Sequence, residues 1–352
     1  MIVIKHYLLI MTMFLLFGCI EPNTEDLWSI TIDGILGTTG FARDVSIENE
    51  IGYIASGQSG IQIWNLSNQT QIESYFGYTE VQTFLEFDDL SLIGRDTINN
   101  LIFASETNKD VRIFEYTLGD SNLKYLNTIM SAKTKDFISF SSDSGQFVMY
   151  SADNDDGLKW SIYEPYEVFG QLYWDPVYPP IAADAELYTP GKPLGIDSDG
   201  QTKIAMAVDQ LGVELYKIDS LGADPEFVGR VDTEGNAELV VIVESGIYAA
   251  CDNSGAIFIP WSDFHDADNI TSNESLKIRF AVDQTVDQIS VHNGVAILSL
   301  GSKGIAIYDV TDPFSPKEKG IFPIGYVYKT EFWGEKLLVC SREGLQIITI
   351  DK

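Results

Sequence analysis

The run Gly304 to Gly320 reads GIAIYDVTDPFSPKEKG. Glycine opens a segment whose apolar residues alternate: Ile305, Ile307, then Val310 beyond Tyr308. Such alternation marks a half-buried strand. Thr311-Asp312-Pro313 then forces a turn, because Pro presets φ and an Asp side chain can bond its own backbone. Pro316 and a charged pair lead into a second short strand, Gly320 to Ile324.

The same order returns from residue 40 onward, at a period of roughly forty-odd residues. An alternating strand comes first, then a polar hairpin and a strand with small residues. A Gly turn, a third strand ending in Asp or Asn, a polar loop and a fourth strand follow. The first copy, near Phe41, runs DVSIE, GYIAS, GIQIWNLSN, IESYFGY. The second, near Val81, runs TFLEF, LIFAS, VRIFEYT, KYLNTIM, with a long first hairpin from Asp88 to Asn99. The third begins near Thr134 and the fourth near Pro193. The fifth begins near Asn236, the sixth near Gln284 and the seventh near Tyr326.

The seventh copy stops at Lys352 after three strands, while Leu27 to Ile35 is a spare strand ahead of the first copy. One missing and one spare strand point to a closed ring. The expected fold is an all-β propeller of seven blades, its N-terminal strand completing the C-terminal blade, so that only short, protected edges remain. No helix of useful length is expected, and residues 27–352 form one domain.

Residues 1–18 read as a lipoprotein signal peptide. Lys5 supplies the positive region, and Tyr7 to Phe17 is an apolar run too short for a comfortable membrane span. It ends Leu16-Phe17-Gly18-Cys19, which resembles a bacterial lipobox, in which the cysteine is acylated and becomes the new N-terminus. Cys19 is therefore the expected lipidation site, and residues 19–26 form a short tether. The expected location is outside the cytoplasm, held to a membrane through Cys19 on the periplasmic or cell-surface side.

The chain has 52 acidic and 22 basic residues, a net charge of −30. That field repels polyanions, which argues against nucleic acid as a partner. Cys251 and Cys340 occupy the same place in blades two apart, beyond the ~7 Å Cα limit of a disulfide, and read as buried free thiols.

The copies resemble the LVIVD repeats of exported bacterial and archaeal propellers. The matching residues are Asp44-Val45-Ser46-Ile47, Tyr53-Ile54-Ala55 and Gly60 to Asn68 in the first copy, and Gly304 to Pro316 in the sixth. The resemblance implies a propeller fold and an exported location. It implies no single activity.

No zinc spacing, nucleophile elbow, phosphate loop or dinucleotide fingerprint is present, so no catalytic residue is expected. Binding groups are expected in two places. The innermost strands begin with Arg43, Asp44, Lys135, Asp136, Glu238, Asp287 and Lys329, a mixed-charge ring at the channel mouth. The third copy carries rigid aromatics on a Pro-rich stretch, among them Trp160, Tyr173, Trp174 and Tyr178, suited to stacking on a sugar or a peptide. No cofactor is called for. Calcium is the one metal that two acidic clusters could take: Asp153, Asp155 and Asp156, and the pair Asp197 and Asp199. The expected function is a lipid-anchored, non-catalytic binding module for an envelope protein or glycan. The alternative is a calcium-dependent hydrolase of the lactonase type that uses channel carboxylates.

Overall fold

A computed structural model describes residues 26–119, 123–129, 133–142, 144–178, 185–264 and 276–352. The expected lipidation site, Cys19, lies outside them, as does the signal segment. Strand β1 (Ser29–Leu36) comes first. Blade 1 is β2 (Asp44–Glu48), β3 (Ile51–Ala55), β4 (Ile61–Asn65) and β5 (Thr70–Tyr75). A separate hairpin follows, β6 (Gly77–Glu80) with β7 (Thr83–Glu86). Blade 2 is β8 (Leu90–Asp96), β9 (Leu101–Glu106), β10 (Val111–Glu115) and β11 (Lys124–Ile129). Blade 3 is β12 (Thr134–Ser141), β13 (Phe147–Asp153), β14 (Gly157–Val168), β15 (Gln171–Tyr178) and β16 (Ala185–Leu187). Blade 4 is β17 (Gly195–Ser198), β18 (Lys203–Ala207), β19 (Val213–Lys217) and β20 (Glu226–Val231). Blade 5 is β21 (Leu239–Val243), β22 (Gly246–Ala250), β23 (Ala256–Pro260) and β24 (Ile278–Phe280). Blade 6 is β25 (Gln288–His292), β26 (Val295–Ser299), β27 (Ile305–Asp309) and β28 (Lys317–Phe322). Blade 7 is β29 (Val327–Trp333), β30 (Lys336–Ser341) and β31 (Gly344–Asp351), completed by β1.

The ring closes as expected. β1 lies antiparallel on β31, from Ser29 opposite Asp351 to Leu36 opposite Leu345. One expectation fails. TFLEF is not the first strand of blade 2; it belongs to the inserted hairpin, and LSLIGRD takes its place at the channel. Both segments alternate, so periodicity could not choose between them.

The core is divided among the blade interfaces. Seven apolar clusters each join two neighbouring blades, and the last, around Leu36, Val45, Ile54, Leu338 and Leu345, joins blade 7 to blade 1. The second strand of each blade is covered on both faces, so β9, β13, β22 and β26 are buried along their whole length. Those strands therefore contain apolar runs without alternation, LIFA, FVMY, IYAA and VAIL.

The glycine that opens the repeated phrase has a definite task. Gly304 sits at φ +88°, and a Cβ there would lie 2.0 Å from the Phe322 carbonyl oxygen. The third strand must start hard against the fourth, and only glycine fits. Asp309 and Asp312 accept the backbone N–H groups of Thr311 and Phe314 at 3.1 and 3.0 Å. The DVTDP phrase is thus a turn device.

Candidate functional site

The first strand of every blade starts at one end of the channel. Pairing registers align one wall position around the ring: Asp44, Leu92, Asp136, Gly195, Leu239, Gln288 and Lys329. The residue before each forms the rim: Arg43, Ser91, Lys135, Leu194, Glu238, Asp287 and Tyr328. The seven charged residues expected at the mouth therefore belong to two tiers. Asp44, Asp136 and Lys329 line the wall, and Arg43, Lys135, Glu238 and Asp287 stand on the rim.

In the wall, Lys329 Nζ lies 2.6 Å from Asp44 Oδ1. Asp44 also accepts the N–H of Val45 at 2.8 Å and that of Ile93, in blade 2, at 3.0 Å. Asp136 takes its own neighbour Phe137 at 2.9 Å and Ile196 of blade 4 at 3.1 Å. Asp197 takes Ile242 of blade 5 at 2.7 Å. Each of these carboxylates thus ties its blade to the next. The innermost strands of adjacent blades do not pair with one another. Their inward N–H groups need acceptors, and short acidic side chains supply them.

This arrangement sets the titration of the wall. Burial pushes Asp136 up to about 6, with Asp44 adding repulsion, against the opposing effects of Lys329 and the two N–H donors. Burial likewise pushes Asp197 up to about 6. For Lys329 burial disfavours the ammonium, but Asp44, Asp136 and Glu331 outweigh it and hold the group above the usual lysine range. Above this tier is a mouth cavity of about 110 Å³ lined by Arg43, Lys135, Gln288 and Tyr328. Below it is a chamber of about 380 Å³ lined by Ser290, His292, Thr330, Glu331 and Phe332. Asp136 and Lys329 border both.

The rim is divided by charge. Over blades 7 and 1, Arg342 lies 4.1 Å from the Tyr326 ring and Arg43 lies 4.4 Å from the Tyr328 ring. The two tyrosine rings are 4.8 Å apart, and Phe41 stacks on Tyr328 at 6.3 Å. Over blades 4 to 6 stand Asp209, Glu238, Asp252 and Asp287. Glu238 rises to about 7 through burial and then through the charges of Asp252, Asp209 and Asp287, with Lys135 acting the other way. Phe41, Tyr326 and Arg342 were not singled out in the sequence. Phe41 and Tyr326 fall in loops between repeats and Arg342 in the β30–β31 turn, where no periodic signal marks them, and only ring closure brings Phe41 to Tyr328.

The aromatic stretch of blade 3 is split between core and surface. Trp160 and Trp174 are 6 % and 2 % exposed and pack into the blade 3–4 and blade 2–3 cores, so neither offers a face for stacking. Trp174 is pinned at both ends, its N–H and carbonyl bonded to the Asn127 side chain at 3.1 and 2.8 Å. Tyr173 stacks on Tyr166 in a protruding β14–β15 hairpin, whose turn carries the fully exposed Phe169. Tyr178 bonds Asp224 at 3.2 Å.

The acidic clusters are engaged in turns. Asp153 is buried and accepts three N–H groups, from Lys133, Asp155 and Asp156, at 2.9, 3.0 and 3.2 Å. Asp155 pairs with Lys133 at 2.5 Å and Asp156 with Lys159 at 2.8 Å. Asp197 and Asp199 do not converge. Asp197 is on the channel wall, while Asp199 closes the following hairpin by accepting the N–H groups of Gln201, Thr202 and Lys203. Burial disfavours the Asp199 anion, but these donors prevail and bring it down to about 2. Among the described residues no group of three His, Cys, Asp or Glu side chains is placed to hold a metal ion. Cys251 and Cys340 are buried and unpaired.

Three solved structures are similar in fold. The chain matches U3-55K at 11 % identity and TM-score 0.64, over 91 % of this chain and 98 % of that one. It matches the RRP9 WD40 repeats at 11 % and 0.63, over 91 % and 97 %. It matches the WD40 propeller domain of Doa1 at 14 % and 0.56, over 91 % and 96 %. At such identities the likeness is one of fold: a seven-bladed propeller. No family model matches the chain, so the LVIVD resemblance is not established as membership. No characterised protein matches it in sequence.

Proposed function

We propose that this chain is a lipid-anchored propeller of the cell envelope that binds a protein or glycan partner and catalyses no reaction of its own. The observation that carries the binding reading is the use made of the wall carboxylates. Asp44, Asp136 and Asp197 each hold the backbone of the next blade, which makes them structural ties, while the rim offers the exposed Arg342 guanidinium, the Phe41 ring and half-buried carboxylates.

The anchor reading rests on Lys5, the apolar run and the Leu-Phe-Gly-Cys ending. It also gives the molecule a direction. Ser29 pairs with Asp351, at the end of β31 remote from the mouth, so the chain enters the ring on the far face. Seven residues from Ile20 to Asp26 span at most ~25 Å. A membrane-held Cys19 would therefore leave the mouth directed outward.

The test is crosslinking of the full chain in its own envelope, beside Cys19→Ser. The expected result is a discrete partner captured by the wild type, and loss of both membrane association and the captured partner in the variant. Membrane association unchanged by Cys19→Ser would overturn the anchor, and absence of any partner would overturn the binding role. The calcium-dependent hydrolase predicts instead a fall in melting temperature on chelation.

A further inference from the structure

We infer that the mouth is a bipolar cleft that binds an extended peptide segment of a partner protein, its acidic end over Arg342 and Arg43 and its basic end over Glu238, Asp252 and Asp287. The inference rests on the binding-module reading and specifies its partner.

With 52 acids against 22 bases, a cationic patch on this surface is an exception. Five of the six arginines have a carboxylate within 4 Å: Arg43, Arg95, Arg112, Arg230 and Arg279. Arg342 has none among the described residues. It is exposed, lies over the Tyr326 ring, and donates at 3.3 Å to the Tyr328 hydroxyl. Arg43 is held by Tyr328 and only loosely by Asp89, at 3.4 Å, and its buried Nε has no acceptor among the described residues. Lys135 leans on a neutral partner, the Asn108 side-chain oxygen.

Stacking engages the face of a guanidinium and leaves its edge donors for a planar carboxylate. Two arginines set over adjoining tyrosine rings form such a receptor. Arg and Tyr are also the residue types that dominate binding energy at protein interfaces.

The opposite half of the rim has the reverse character. Asp209 and Asp252 occupy matching turns of blades 4 and 5, each bridging to the residue just before the next blade's rim, Ala237 and Val286. That geometry sets both carboxylates beside the rim acids Glu238 and Asp287. Asp287 in turn lies near Gly301, whose other neighbour is Tyr326, so the acidic half adjoins the aromatic patch. A partner of uniform sign meets attraction on one side and repulsion on the other. A segment with both signs, in the right order, meets attraction throughout, which is how charge confers register and specificity.

The experiment uses the full-length chain in detergent and three fluorescein-labelled peptides at 0.15 M salt. One has four Glu, a Gly-Ser spacer and four Lys; the others carry only the Glu or only the Lys block. The expected result is at least tenfold tighter binding of the two-sign peptide. Arg342→Gln should weaken it about tenfold and Asp252→Asn several-fold, with Glu226→Gln, exposed on the outer strand β20, leaving it within twofold. Thermal melts identify any variant that fails to fold, and Arg342 is exposed enough that its variant is expected to melt as the wild type does. Equal affinity for the all-Lys peptide, or indifference to Arg342→Gln, would overturn the inference. So would Arg342-dependent binding of polygalacturonate in place of peptides, which would assign the patch to an acidic glycan. If envelope crosslinking captures a partner from the wild type and from Arg342→Gln alike, the bipolar cleft fails while the binding role stands.

Discussion

Replacing Lys329 by Met removes the cation at the waist of the channel while keeping most of its volume. Lys329 faces Asp44 at 2.6 Å, with the Lys side chain 29 % and the Asp side chain 4 % exposed. Stripping one partner from a fully buried ion pair costs about 3–5 kcal/mol. Water reaching the Lys329 side chain screens this pair, so about 2 kcal/mol is the appropriate figure. With an unfolding entropy of ~2.1 cal/mol/K per residue, a propeller of this size loses about 3 °C in Tm. The pH dependence makes the test specific. Lys329 stabilises by facing ionised carboxylates, and Asp136 takes up its proton at about 6. The gap between wild type and Lys329→Met should therefore be widest near pH 8 and narrow as pH falls to 5. Melting curves followed by circular dichroism at several pH values measure it. A gap of the same size at pH 5 and pH 8, or none at pH 8, would refute the electrostatic account.

Three further outcomes are expected. The folded-state pKa values of Asp136, Asp197 and Glu238 are raised, to about 6, 6 and 7. The folded state then binds protons more tightly, so their contribution is fully present below the unfolded carboxylate range and is lost as pH rises through 6 to 7. Wild-type Tm should climb from pH 8 to pH 5, and Asp136→Asn should flatten that slope; an unchanged slope counts against the assignment. Gly304→Ala forces a side chain into φ +88° and against the Phe322 carbonyl, and should cost about 2–3 kcal/mol, read as a shift in a urea midpoint at constant m. Removing residues 26–36 bares the β31 edge from Leu345 to Asp351, and the expected product is oligomeric by light scattering; a monomer with wild-type Tm would contradict the closing role of β1.

The sequence by itself determined the ring. Its repeat count, the glycine at the start of the third strand in every blade but the second, and the pairing of a spare strand with a missing one all follow from local rules of alternation and turn chemistry. Those rules act over a few residues, so single repeats reveal them. The same rules were blind to which of two alternating segments enters blade 2, because a hairpin inserted between blades alternates just as a blade strand does. They also left the aromatic stretch of blade 3 unresolved, since composition cannot say that Trp160 and Trp174 face the core while Tyr173 and Tyr166 do not. Only the tertiary structure decided what the channel charges do. Asp44 reads as one more acid in an acidic chain until β8 of the next blade presents the Ile93 N–H to it and β29 of the last blade presents Lys329. The divided rim is a product of closure in the same sense. Phe41 and Arg43 meet Tyr328 and Arg342 across roughly three hundred residues of chain, and only ring closure brings them together.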